Sequence, residues 1–242
     1  MSMSERRNWS IGILALITAV FFLIYSAVQY NLAATAAALA SQPVTVILDA
    51  GHGGEDGGAS SDSGVQESQL NLAITLRLEQ LLTLCGMQTY MIRSTDTAIY
   101  SGNCSTITEK KVSDLKNRVK IVNSISPAIL LSIHQNHFSE PKYDGAQVFY
   151  ADTDGSKLLA QQTQEMLRSV LDPGNRREIK RADTVYLMEH IICTGILVEC
   201  GFLSNPKEAM RLQEDEYQKK LVCAVGCGLA QFLEKGETGV EI

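Results

Sequence analysis

The sequence predicts an α/β domain: one central sheet, mostly parallel or mixed, with helices on both faces. Three observations carry this expectation. Short continuous runs of aliphatic and β-branched residues at 44–48 (VTVIL), 128–133 (AILLSI) and 195–198 (GILV) read as strands covered on both faces. Longer stretches between them place apolar residues at helical spacing. The two kinds alternate along residues 44–236, the pattern of strands joined by helical crossovers.

Taken in order, the first strand (44–48) runs into a loop with glycines at 51, 53, 54, 57 and 58. A helix opens near Glu67, with Leu70, Ile74, Leu78, Leu81 and Cys85 on one stripe and Gly86 as its stop. Residues 87–92 read as a strand, 94–108 as a polar loop, and 112–122 as a helix presenting Leu115, Val119 and Val122. A second buried strand, 128–133, ends at His134, and 146–150 is another. A helix over 157–170 closes at Asp172-Pro173-Gly174; then come a strand at 195–199 and helices over 206–212 and 216–233. The residues show no internal repeat and no second globular domain.

The N-terminus has a different character. Residues 11–29 carry no charge and follow Arg6 and Arg7. At about 1.5 Å per residue they nearly span a hydrocarbon core of about 30 Å. Basic residues ahead of such a run predict a cytoplasmic N-terminus (1–10) and an exported remainder. The expectation is a transmembrane or signal-anchor segment over 11–30, a linker over 31–43, a domain over 44–236 and a tail over 237–242. The run exceeds the usual apolar core of a cleaved signal, about 7–15 residues. Ala38-Leu39-Ala40 nevertheless resembles a cleavage site, which would make the protein secreted instead. A buried core helix is the remaining reading of the run.

Net charge is −6, and no stripe of Lys and Arg stands out, so nucleic acid is not an expected partner. Six cysteines in an exported chain raise the question of disulfides. Cys85, Cys193, Cys200, Cys223 and Cys227 have the neighbours of buried small hydrophobes, so core packing is expected of them; Cys223 and Cys227, four apart on a helix, could alternatively ligate a metal.

The chain has four histidines: His52, His134, His137 and His190. His52 stands just past a strand among glycines, which allow a sharp bend and close approach of a ligand. That loop lacks the G-x-x-x-x-G-K-[ST] pattern of a phosphate cradle; metal binding, substrate binding and a plain turn stay open. His134 ends a strand, followed by Asn136 and His137, which suggest a polar strand end. Glu67 by itself reads as a carboxylate on the positive end of a helix dipole. Glu199 sits in an apolar run, where an ionised acid is costly unless paired or coordinating. In α/β sheets ligands gather beyond the carboxyl ends of the strands, where His52, His134 and Glu199 fall. Two histidines and a carboxylate suit a catalytic zinc site with an open position, and a further carboxylate could handle protons.

Four blocks make the reading specific: VTVILDAGHGGEDGGA, VQESQLNLAITLRLEQLL, LLSIHQNHF and ILVECGFLSNPKEAMRL. Together they resemble the zinc-dependent N-acetylmuramoyl-L-alanine amidases over nearly all of residues 44–235. The resemblance implies zinc held by His52, Glu67 and His134, with Glu199 as the catalytic carboxylate. It implies peptidoglycan as substrate, cut at the amide between the lactyl group and L-alanine. One short domain behind a membrane segment is similar to the germination-specific members, which act on spore cortex ahead of muramic-δ-lactam formation. The catalytic domain is then expected outside the cytoplasm, anchored to a membrane, in the forespore intermembrane space. Gln135, Asn136, His137 and Phe138 depart from the usual residues after S-I-H; Asn136, His137 and, beside the polar 101–111 stretch, Arg93 are candidate substrate-binding residues. A vegetative wall amidase, in turnover or cell separation, and a catalytically silent wall-binding protein are the alternatives. An accessory protein is compatible with this reading, and no segment specifies one.

Overall fold

The computed structural model describes residues 18–30 and 43–237. Residues 18–30 are helical and belong to a unit separate from Val44–Ile242. Phe21, Phe22, Leu23 and Ile24 on that helix are exposed. Among the described residues no helix is long and apolar enough to cross a membrane. The first part of the span expected at 11–30, most of the 31–43 linker and nearly all of the 237–242 tail lie outside the described residues.

The larger unit runs β1 (Thr45–Ala50), α1 (Glu67–Leu84), β2 (Gln88–Met91), α2 (Ile107–Asn123), β3 (Ala128–Asn136), β4 (Gln147–Tyr150), α3 (Ser156–Leu171), β5 (Lys180–Arg181), α4 (Tyr186–His190), β6 (Thr194–Phe202), α5 (Pro206–Arg211) and α6 (Asp215–Glu237). The strands form one sheet in the order β2-β1-β3-β6-β4-β5. All neighbours are parallel except β4 and β6, which are antiparallel, so the sheet is mixed.

Alternation along the strands divides the core in two. Leu131, Ile133, Ile196, Val198 and Val148 pack with Leu70, Ile74 and Leu78 of α1, Leu159 of α3 and Leu221 and Leu229 of α6. Ile47, Leu130 and Leu197 face the other way, onto Val122 of α2 and Leu187 and Met188 of α4. Both faces are therefore covered, which is why the strands read as unbroken apolar runs. Gly228 permits close packing of α6 on α3: a Cβ there would fall 2.6 Å from the Thr163 Cα.

Several boundaries differ from expectation for identifiable reasons. Helix α2 starts at Ile107 rather than near 112 because Thr106 and Glu109 form a reciprocal capping box, an arrangement worth about 1 kcal/mol. The polar run Thr108–Lys111 hid this first turn from a reading based on apolar spacing. Strands β3 and β6 continue to Asn136 and Phe202, so His134 and Glu199 lie within paired strands rather than at their ends. Strand β5 and helix α4, two and five residues long, are too short to show a period. All six cysteines are free. Cys200 is buried as expected and Cys193 is half-buried, but Cys85, at the C-cap of α1, is exposed, as are Cys223 and Cys227, because inward positions of α6 are filled by Leu221, Val225 and Leu229.

Candidate metal centre

Strand β1 delivers the chain into the glycine loop, where His52 adopts φ 61°, a left-handed conformation unusual for a residue with a side chain. Two side chains hold it there. Arg118 of α2 donates from Nη2 to the His52 carbonyl at 2.7 Å. Asp56 takes a hydrogen bond from the ring at Nδ1, 2.8 Å away. A carboxylate only accepts, so Nδ1 carries the proton in that bond and Nε2 is turned to Glu67 Oε2, 3.3 Å away.

Glu67, the first residue of α1, is only 4% exposed, too buried to be surface decoration on a helix dipole. Its Oε2 accepts from the Ala59 amide at 2.9 Å, and its Oε1 from the Gln135 amide at 3.1 Å. Asn71, one turn along α1, donates to the same Oε1 at 3.3 Å. That Oε1 also lies 3.0 Å from Nδ1 of His134 on β3. The two imidazoles meet edge to face, with centroids 5.1 Å apart. Among the described residues, His52, Glu67 and His134 are a group able to hold one metal ion, with a ligand atom from each within 4.8 Å of the others.

Two glycines make room for this cluster. A Cβ at Gly51 would collide with the His134 ring. At Gly58, with φ +68°, it would stand 2.8 Å from Cδ2 of His52.

Charge follows the geometry. Burial disfavours the His52 imidazolium, but hydrogen bonds to Asp56 and Glu67 outweigh it and raise its pKa to about 9. Burial pushes Glu67 up, and the two histidines overcome this and hold it well below the usual carboxylate range. Glu199 behaves oppositely. It is the register partner of His134 across β3 and β6. Its Oε2 is buried with no hydrogen-bond partner among the described residues. Burial raises its pKa to about 7; His134 opposes the rise and Glu67 adds to it.

The sequence-expected residues do not all converge. His52, Glu67, His134 and Glu199 come together; Asn136 is half-buried at the end of β3, and His137 is exposed just beyond it, outside the metal-binding group. Arg93 is 3% exposed, and its guanidinium is engaged by the carbonyls of Ala50, Gly51, Ser68 and Thr95. These bonds brace the glycine loop from behind.

Sequence reasoning missed Asp56 and the buried ion network behind the loop. Arg118 pairs with both Asp49 and Asp114, and Ser132 donates to Asp49 at 2.6 Å. Burial would raise Asp49, yet Arg118 holds it below its ordinary range. Asp56 had a readable signal, four residues after a histidine in a glycine loop; Arg118, inside a charged helix, had none.

Such a donor set, with an unpartnered carboxylate oxygen beside it, is of the kind that metal-dependent hydrolases use. Within that class the comparison is specific: residues 46–231 match the family model for N-acetylmuramoyl-L-alanine amidase, and the chain belongs to that family. It is 34% identical over 194 residues to the germination-specific N-acetylmuramoyl-L-alanine amidase of Bacillus subtilis, covering 79% of this chain and 81% of that one. Among solved structures, the CwlD amidase of Clostridioides difficile, in complex with the GerS lipoprotein, superposes with TM-score 0.77 at 40% identity over 79% of this chain and 99% of that one. An N-acetylmuramoyl-L-alanine amidase of Clostridium difficile 630 gives TM-score 0.70 at 31% identity, covering 80% and 98%.

Proposed function

We propose that this enzyme hydrolyses the amide between the lactyl group of N-acetylmuramic acid and L-alanine in peptidoglycan, using zinc held by His52, Glu67 and His134. The observation that carries it is the junction of that three-residue cluster with Glu199, which has a buried oxygen and a pKa near neutrality. Two imidazoles and one carboxylate match a catalytic zinc set that leaves a position open. When bound by these three residues, zinc would act as a Lewis acid toward the scissile carbonyl and would lower the pKa of water to about 7.

The protein's own groups do the rest. Asp56 and Arg118 fix His52 by its ring and its carbonyl. The Ala59 and Gln135 amides and Asn71 fix Glu67. Glu199 takes a proton from the attacking water and returns it to the departing amine nitrogen, tasks that suit a pKa near the working pH. Water oxygen joins the carbonyl carbon, the C–N bond breaks, and the products are a lactyl carboxylate and a free L-alanine amine.

The similarity to a germination-specific amidase supports a role in spore cortex, ahead of muramic-δ-lactam formation. The apolar residues at 11–29 and the exposed Phe21, Phe22 and Leu23 support a membrane tether with the catalytic domain outside the cytoplasm. Because the 40%-identical CwlD is found with a lipoprotein, a protein partner belongs to the proposal. Digestion of purified peptidoglycan followed by identification of the new termini tests the reaction. Free muramic lactyl groups with L-alanine amino termini are expected; new glycan reducing ends would contradict it.

A further inference from the structure

Residues paired across neighbouring strands point to the same side of a sheet. His134, Glu199 and Gln147 are aligned in one row across β3, β6 and β4. Two residues earlier along β6 and two later along the antiparallel β4, Leu197 and Phe149 pack in the α2–α4 layer, which fixes the side that the row occupies. A shift in register then sets Phe202 opposite Asn136, on that side two residues beyond His134.

Arg177, in the segment between α3 and β5, ends this row. Its guanidinium carbon lies 4.3 Å from the Phe202 ring centroid, and Nη1 donates to Gln147 Oε1 at 3.4 Å. Nε donates to the Asp144 carbonyl at 2.6 Å. Gln147 is itself held, donating to the Glu178 carbonyl at 2.7 Å. Arg177 is half-exposed and, among the described residues, pairs with no carboxylate. An aromatic face, an amide and a carbonyl thus fix a cation that has no carboxylate partner among the described residues.

We propose that Arg177 binds a carboxylate of the peptide on the amine side of the scissile bond. This rests on the amidase reading above. The glycan side of that bond offers hydroxyls and acetamido groups without charge, whereas wall peptides carry free carboxylates, so a fixed guanidinium discriminates for the peptide. The reach is appropriate. Gln147 stands one strand spacing, about 4.8 Å, from Glu199, and an extended chain advances about 3.3 Å per residue. A carboxylate within the first two or three residues after the scissile amide therefore meets Arg177. Its planar fork suits bidentate contact with a carboxylate, and stacking on Phe202 has already ordered it.

The test uses the metal-loaded enzyme and two synthetic muramyl peptides that differ at the second peptide residue, one a free carboxylic acid and the other its carboxamide. Wild type is expected to favour the acid by roughly 10- to 100-fold in kcat/KM, mainly through KM. Arg177→Met loses that preference because its kcat/KM falls much further on the acid than on the carboxamide, and Arg177→Lys, which retains charge without the fork, recovers part of it. Equal losses on both substrates in Arg177→Met, or an acid preference that survives the substitution, would overturn the inference. If wild type cleaves both peptides without preference, the inference alone fails. If it releases an L-alanine amino terminus from neither, the amidase reading fails and this one with it.

Discussion

The carboxylate of Asp56 stands 2.8 Å from Nδ1 of His52 and thereby decides which imidazole nitrogen faces Glu67. Lys111 of α2 pairs with the other oxygen of Asp56 at 3.0 Å, so the orienting group is itself oriented. Partners of this kind set ring direction and basicity for a metal ligand.

Asp56→Ala should therefore weaken zinc binding by about 10- to 100-fold while leaving the fold intact. Competition against a chelator of known affinity measures this. Unchanged affinity would mean that the glycine loop alone positions His52.

Metal uptake should expel a proton. In the metal-free protein His52 has its pKa raised to about 9 and is protonated at neutral pH. Only neutral imidazole binds zinc. Below about pH 9, His52 alone makes the apparent affinity rise about tenfold per pH unit. Calorimetry in buffers of different ionisation enthalpy should show the released proton; a buffer-independent enthalpy would contradict it.

Stability of the metal-free protein has a definite pH direction. The raised pKa of His52 means its contribution is complete below 6.5 and is lost as pH rises through about 9. Glu199, an acid raised from 4.5 to about 7, acts in the same direction: the folded state holds its proton more tightly, and that advantage disappears as pH rises through about 7. Denaturation midpoints should therefore fall from pH 4.5 to about 9. Glu199→Gln should flatten the part below about 7 and leave the His52 part.

That same substitution separates metal binding from catalysis. Glu199→Gln should keep zinc near wild-type stoichiometry and lower kcat by roughly 100- to 10,000-fold, the usual range for loss of a general acid–base group. Zinc analysis beside a turnover assay decides it; near-normal turnover would favour a different proton carrier.

Arg118, 2% exposed, neutralises Asp49 and Asp114 and holds the His52 carbonyl. Arg118→Met leaves two buried or nearly buried carboxylates without their cation, and should destabilise the fold by about 3–5 kcal/mol. Chemical denaturation of the variant beside wild type, both without added metal, measures that cost.

The covered strands and the larger helices were legible because burial on two faces and helical spacing are written locally into residues 44–48, 128–133 and 67–85. Glu199 was legible for a related reason: an acid among Val198, Leu197 and Cys200 needs a partner or a task. Glu67 was not. Its position at a helix start suits the dipole equally well, and only its likeness to a family block marked it as a ligand. The surroundings of Arg93 were not legible either, because an arginine in a polar stretch gives no sign that backbone carbonyls will surround it.

By itself, then, the sequence determined the alternating elements and the covered mixed sheet, and it singled out His52, His134 and Glu199 as candidate site residues. Tertiary structure decided what those groups face. It put Arg118 against Asp49, 69 residues away, Gln147 opposite Glu199, and Arg177 over Phe202. The physical reason is that local periodicity is set by contacts a few residues apart. Strand order and register, which aligned His134, Glu199 and Gln147, come from packing the whole sheet between its two layers of helices.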